Sequence, residues 1–290
     1  MDVVFQLATL EAAIRLAVPV ALVALGALIT ERSGVLNLGL EGMMLAGALG
    51  GYGLAEASGN PWLGLVSGTA VGAGCGLVLA ALMVGARTNQ VVTGIAFTLL
   101  ASGATTYIFQ LGYSIGATPP RIERISLWWL VVLVVVLAGL MWWLFQRTVL
   151  GLAVASAGES PVAVDALGYR VNRLRWLATV AGGALAGLGG AALVCGPLGL
   201  FIENVTAGRG WVALAIVVIA GWRPAATVAG ALLFSLCDAV QLRLQGTSTA
   251  IPYELFLALP YLVTLAALVV RARASRTPAA LGRPFLRSAV

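Results

Sequence analysis

The sequence predicts an all-α polytopic membrane protein with about nine transmembrane helices (eight to ten), N-terminus out and C-terminus in, and one short cytoplasmic helix. Three observations carry this. Of the 290 residues, 60% are hydrophobic and only 10% charged, with a mean hydropathy of +1.00, whereas a soluble domain carries about a quarter charged residues. Apolar runs long enough to cross a hydrocarbon core of about 30 Å recur along the whole chain. The basic residues fall unevenly between the loops that join those runs.

Nine runs can be placed, near residues 13–30, 34–54, 62–85, 91–110, 127–145, 176–194, 208–220, 225–241 and 253–270. The seventh is short and follows a Pro/Gly-rich stretch from Cys195 to Gly210, where a re-entrant or broken helix is expected. The N-terminus carries Asp2 and Glu11 and no basic region or small-residue cleavage pattern. The first span is therefore expected to be a retained helix rather than a signal peptide. The spans make one permeation domain, 1–270, followed by a basic cytoplasmic tail, 271–290.

All 17 basic residues are Arg. Arg147, Arg170, Arg173 and Arg175 between the fifth and sixth spans, and Arg271, Arg273, Arg276, Arg283 and Arg287 in the tail, mark the inside. Alternation then adds Arg32, Arg87 and Arg223, leaving Arg15, Arg121, Arg124, Arg209 and Arg243 outside. Twelve against five satisfies the rule that Lys/Arg accumulate in cytoplasmic loops. In the fifth span Trp128 and Trp129 stand at one end and Trp142 and Trp143 at the other, about 20 Å apart along a helix, as interfacial indoles would.

Several function classes drop out on composition. His is absent, which removes the commonest general base and zinc ligand. Cys75, Cys195 and Cys237 are few, odd in number and set in apolar runs, so no disulfide framework is expected. No residues are assigned to catalysis or to a metal. Gly64, Gly68, Gly72 and Gly76, then Gly182, Gly183, Ala186, Gly187 and Gly190, are small-residue ladders that let membrane helices approach closely.

Polar residues inside the spans are the candidate path. Asn37 and Glu41 are spaced to share a helical face, with Glu41 about two turns from the cytoplasmic end. A carboxylate in a membrane helix faces protein or a wet cavity, so Glu41 belongs to a translocation path or to a buried hydrogen bond locking two helices. The fourth span repeats Gln90, Gly94, Thr98, Ser102, Thr106 and Gln110, a row that drifts about 40° per step. Thr98, Ser102 and Thr106 are nearest mid-membrane; they line a cavity for a polar, uncharged solute or bond their own backbone carbonyls. Asp238, Gln241, Arg243 and Glu254 gather at outer span ends, either pairing there or docking an external protein.

The segment 147–175 is too long for a tight turn. Ser160 is placed to cap a two-turn helix with Pro161 first and Gly168 ending it. That helix either lies on lipid or fits a protein groove, which its many Ala and Gly residues favour.

The segment Glu31-Arg32-Ser33-Gly34-Val35-Leu36-Asn37-Leu38-Gly39-Leu40-Glu41-Gly42-Met43-Met44 closely resembles the second-span signature of bacterial ABC-importer permeases of the branched-chain amino acid, ribose and nucleoside superfamily. Its Glu-Gly-Met-Met ending is most similar to the nucleoside branch. Ala157-Gly158-Glu159-Ser160-Pro161, Asp165-Ala166-Leu167-Gly168, the run from Gly183 to Gly190 and Gly208-Arg209-Gly210-Trp211 extend the likeness over about residues 11–270. The resemblance implies that 147–175 is a coupling segment seated in an ATPase groove, with Gly158, Glu159, Ala163, Asp165 and Gly168 as its contacts. Relatives commonly carry a basic residue two or three positions before the Gly-Glu; here Ala155 and Ser156 occupy that stretch.

It further implies ABC ATPase subunits that hold the ATP and Mg, since this chain has no phosphate loop and no Lys and needs no cofactor of its own. A second permease (heterodimer, or homodimer) and an extracellular or periplasmic substrate-binding protein complete the assembly, in the bacterial cytoplasmic membrane, with no nucleic acid. The expected cargo is a nucleoside or nucleobase, with riboflavin, a sugar or a branched-chain amino acid as alternatives. An ion-coupled secondary transporter would call for inverted repeats and a mid-membrane acid. An intramembrane enzyme would call for His or a carboxylate pair.

Overall fold

A computed structural model describes residues 7–113, 119–244 and 277–286, together with Leu262, Leu265, Ala266 and Val269. Most of the ninth expected span, Glu254 and residues 271–276 lie outside the described residues. Among residues 7–244 as described, ten α-helices follow one another: α1 (Leu7–Arg32), α2 (Leu40–Ser58), α3 (Pro61–Ala80), α4 (Gln90–Gly112), α5 (Leu127–Arg147), α6 (Val149–Glu159), α7 (Pro161–Ala166), α8 (Val171–Leu193), α9 (Arg209–Ala220) and α10 (Pro224–Leu244). One π-helical turn extends α3 to Gly85 and another extends α8 to Leu198. No strand occurs among the described residues.

Capping at several starts follows directly from sequence. Asn60, with Pro61 behind it, accepts from Trp62 N; Asn89 accepts from Val91 N and Val92 N; Thr148 accepts from Gly151 N. Each side chain satisfies amide groups that the first turn leaves unpaired.

Six of these helices are long and apolar enough to span a membrane: α1, α3, α4, α5, α8 and α10. Of the nine expected, two are corrected. The second starts at Leu40 instead of 34 and carries Glu41 and Glu56, because residues 33–39 run as irregular chain. The seventh, α9, has 12 residues and so reaches about 18 Å, short of the hydrocarbon thickness. It is preceded by a non-helical stretch, so 195–224 holds one helix and the π-helical end of α8.

Lipid offers no hydrophobic reward for helix association, so contact must come from close packing. The glycine ladders provide it. A Cβ at Gly72 would stand 2.7 Å from Gly187 Cα, and one at Gly76 2.9 Å from Thr179 O, so α3 and α8 touch backbone to backbone. Gly47 of α2 presses on Gly187 too. Helices α1 and α8 form the centre, with 72% of their apolar windows buried against 17% for α5. The Trp pairs of α5 are accordingly exposed at its two ends.

Candidate translocation site and coupling hairpin

The starts of α2 and of the short α9 meet at Glu41. The chain leaves α1 at Arg32, crosses residues 33–39, and starts α2 one residue before Glu41. Asn37 therefore does not share a helical face with Glu41; it sits in the irregular segment, where its Oδ1 accepts from Gly39 N at 3.0 Å and its amide contacts Met43 Sδ. The turn is shaped by Gly34, whose φ of +91° is a region side chains disfavour. Leu36 N donates to Gln90 Oε1 at 2.8 Å, and the Thr98 hydroxyl donates to Leu38 O at 3.2 Å. So α4 supplies the polar groups that the unwound backbone needs.

Glu41 is 6% exposed, and its carboxylate accepts three bonds from the start of α9. Thr206 Oγ1 donates to Oε1 at 2.5 Å, Gly208 N to Oε1 at 2.9 Å, and Gly210 N to Oε2 at 2.6 Å. A negative group at a helix N-terminus satisfies orphan amides and opposes the positive end of the helix dipole. The approach is close: a Cβ at Gly210 would lie 2.6 Å from Glu41 Cα, and one at Gly42 2.9 Å from Thr98 Cα.

The other end of α9 is tied to α1, because Trp222 Nε1 donates to buried Glu31 at 2.6 Å. Glu41 thus stands one full α9 length, about 18 Å, from that end.

Above Glu41 the α4 row separates. Thr98 is bonded to Leu38, whereas Ser102 and Thr106 are half-buried and their hydroxyls make no hydrogen bond among the described residues. The buried Thr105 bonds back to Ala101 O, and Gln110 reaches Glu203 at 2.8 Å. This flank follows the 199–208 stretch, where Phe109 also packs on Phe201. A 580 Å³ groove is lined by Phe97, Leu100, Ala104, Thr105, Ile108 and Phe109, and it is nearly all apolar. The structure brings Asn37, Glu41 and Thr98 together and leaves Ser102 and Thr106 further along α4.

The insert 147–175 is a helical hairpin. Beyond the short α7 that Ser160, Pro161 and Gly168 signal, it contains the 11-residue α6, unanticipated in sequence. Ser160 flanks α7 without a side-chain cap bond and Gly168 turns the chain at φ +84°. Val162 and Leu167 are 68% and 77% exposed; Asp165 is half-buried. Glu159 and Ala163 line a 410 Å³ groove with Arg32, Trp222 and Pro278.

Gly158 is buried, and a Cβ there would clash with Arg32 O and stand 3.1 Å from Gly34 N. Its small size serves close contact within the chain. Sequence also gave no warning of Arg175, 2% exposed, which donates to Ser33 O at 3.2 Å and Arg283 O at 2.7 Å.

The family described as branched-chain amino acid transport system / permease component matches residues 9–268. The chain belongs to this permease family. Relatives include the guanosine ABC transporter permease protein NupQ of Bacillus subtilis, 31% identical over 99% of each chain. The nucleoside ABC transporter permease protein NupC of Lactococcus lactis is 28% identical over 93% of this permease and 94% of its own length. A protein of Haloferax volcanii provisionally named glucose ABC transporter permease protein TsgC13 is 40% identical over 85% of this permease and 80% of its own length. This is a multi-pass membrane permease, and its relatives are transport subunits.

Proposed function

We propose that this permease carries a nucleoside or nucleobase inward as one membrane-spanning subunit of an ATP-driven importer in the cytoplasmic membrane. Separate ATPase subunits supply energy and hold the ATP and Mg; a second permease and an external substrate-binding protein complete the assembly. The observation that carries the substrate is the likeness to the guanosine permease along 99% of both chains. The half-exposed hydroxyls of Ser102 and Thr106 support it: a neutral polar lining suits an uncharged, hydroxylated solute. Asn37, Glu41 and Thr98 set the shape of that path at its narrow, inner part.

The α6–α7 hairpin is the ATPase-facing element. Val162 and Leu167 expose apolar side chains on a helix outside the long spans, beside a groove that contains Glu159 and Ala163. Charge supports a cytoplasmic position for it. Arg32 and Trp222 border that groove, Arg223 follows, Arg175 bonds Arg283, and a Cβ at Gly85 would stand 3.7 Å from the Trp176 ring. Arg32, Arg87, Arg147, Arg170, Arg173, Arg175, Arg223 and Arg283 therefore gather at one end. Arg15 and Arg124 border another pocket with Gly196 at the far side of α8. That asymmetry favours the hairpin inside and the N-terminus outside.

The test is uptake of labelled guanosine, glucose and leucine by proteoliposomes holding the permease pair, its ATPases and the binding protein. ATP-dependent guanosine uptake is the expected result. A sugar is the second reading, favoured by the 40% identity with the glucose permease; uptake of glucose without guanosine would establish it.

A further inference from the structure

We propose that residues 277–286 are a strap that welds the α6–α7 hairpin to the α1–α2 connection and to α8, making the three move as one body. The segment runs across the open side of the hairpin and bonds each neighbour in turn. Ala279 N donates to the exposed Glu159 Oε2 at 3.3 Å and Ala280 N to Gly158 O at 2.8 Å. Gly282 N donates to Gly34 O at 3.1 Å. Arg283 O accepts from Arg175 Nη1 at 2.7 Å, and the same guanidinium holds Ser33 O. Two internal turns, Leu281 N to Pro278 O and Arg283 N to Ala280 O, keep the segment compact.

Side chains complete the seal. Ala280 is 6% exposed. Phe285 packs on a small cluster of Ala153, Ala157, Val164, Val171 and Leu174, which joins α6, α7 and α8 and is separate from the main core. Buried backbone carbonyls at Gly158 and Gly34 would also lose their partners if the strap left, and buried polar groups are rarely left unpaired. Gly34 opens the irregular segment that leads to Asn37 and Glu41, so a weld at Gly34 ties the hairpin to the polar junction. Pro278 forms one wall of the groove beside Ala163, so the strap also fixes the shape of that groove.

This inference rests on the hairpin being the ATPase-facing element, and the experiment separates the two. The complete transporter is purified and reconstituted with wild-type permease, with a chain ending at Arg276, and with Ala280→Glu, which forces a charge into the buried strap contact. Hydrogen exchange is followed across 149–168, and uptake is measured per ATP hydrolysed.

Both variants are expected to retain the ATPase subunits. Exchange in the hairpin should rise about tenfold, the factor for one or two net hydrogen bonds, and uptake per ATP should fall several-fold. Unchanged exchange together with unchanged uptake per ATP would overturn the weld. So would loss of the ATPase subunits in both variants, which would make the strap a docking piece instead. The hairpin reading is judged separately by Ala163→Trp, which leaves the strap bonds intact: a silent Trp variant refutes the partner-facing groove, while the exchange result still decides the strap.

Discussion

Replacing Glu41 by Ala asks whether this carboxylate holds two helices together or serves the solute. In the wild type it accepts from the Thr206 hydroxyl and from the amides of Gly208 and Gly210. The hydroxyl can rotate to another acceptor, but the two amides are fixed by the start of α9. Each buried donor left without a partner costs about 1–3 kcal/mol, and the lost charge at the helix N-terminus costs about 0.5–2 kcal/mol more. The expected loss is about 2–8 kcal/mol, a large part of the roughly 5–15 kcal/mol that separates folded from unfolded chains.

Glu41→Gln keeps one acceptor oxygen and turns an NH2 toward an N–H, so it should fall between Ala and wild type. The assay is thermal unfolding in detergent read by a thiol-reactive dye. Cys195, fully buried, is the reporter once Cys75 and Cys237 are replaced by Ala. At about 2–4 °C per kcal/mol for a chain of 150–250 residues, a lowering of Tm on the order of 10 °C or more is expected for Ala. An Ala variant that melts with the wild type yet loses uptake would refute this reasoning and return Glu41 to the solute path.

Ser102→Leu should reduce uptake about tenfold while assembly and ATP hydrolysis persist, since it fills a polar flank with an apolar branch without touching the α2–α4 contact; proteoliposome flux and copurification check this, and normal flux would remove Ser102 from the lining. Ala163→Trp should obstruct the groove beside α7, leaving the spans folded but separating the ATPases or uncoupling their hydrolysis from uptake, as judged by pull-down and flux. In a background without native cysteines, Ser156→Cys should resist a membrane-impermeant thiol reagent applied from outside and react after the membrane is opened; ready labelling from outside would invert the orientation.

How much of this was legible in the sequence depends on which force fixes each feature. Six spans were, because hydropathy and length alone decide them, and so were the two glycine ladders as close-packing faces, though not that they pack on each other. The break before α2 was not. Asn37 and Glu41 keep helical spacing on paper, and contacts distant in sequence, among them those of Gln90 and Thr98 with the backbone of Leu36 and Leu38, make an unwound segment tolerable there.

The Gly208-Arg209-Gly210 motif was visible as a pattern without a reason. Its reason is three-dimensional: Gly208 takes φ +83°, and Gly210 lets the α9 amides reach a carboxylate 169 residues away in the chain. Helix α6 escaped notice because its buried face, Gly151, Ala153, Ala157 and Gly158, is built from small residues that carry almost no hydropathy contrast. What periodicity cannot show is where a helix end finds its partner. In this protein the most constrained polar groups, Glu31, Glu41 and Arg175, all bind such ends and turns, so the residues that look most like transport machinery in the sequence are first of all the fastenings of two interrupted helices.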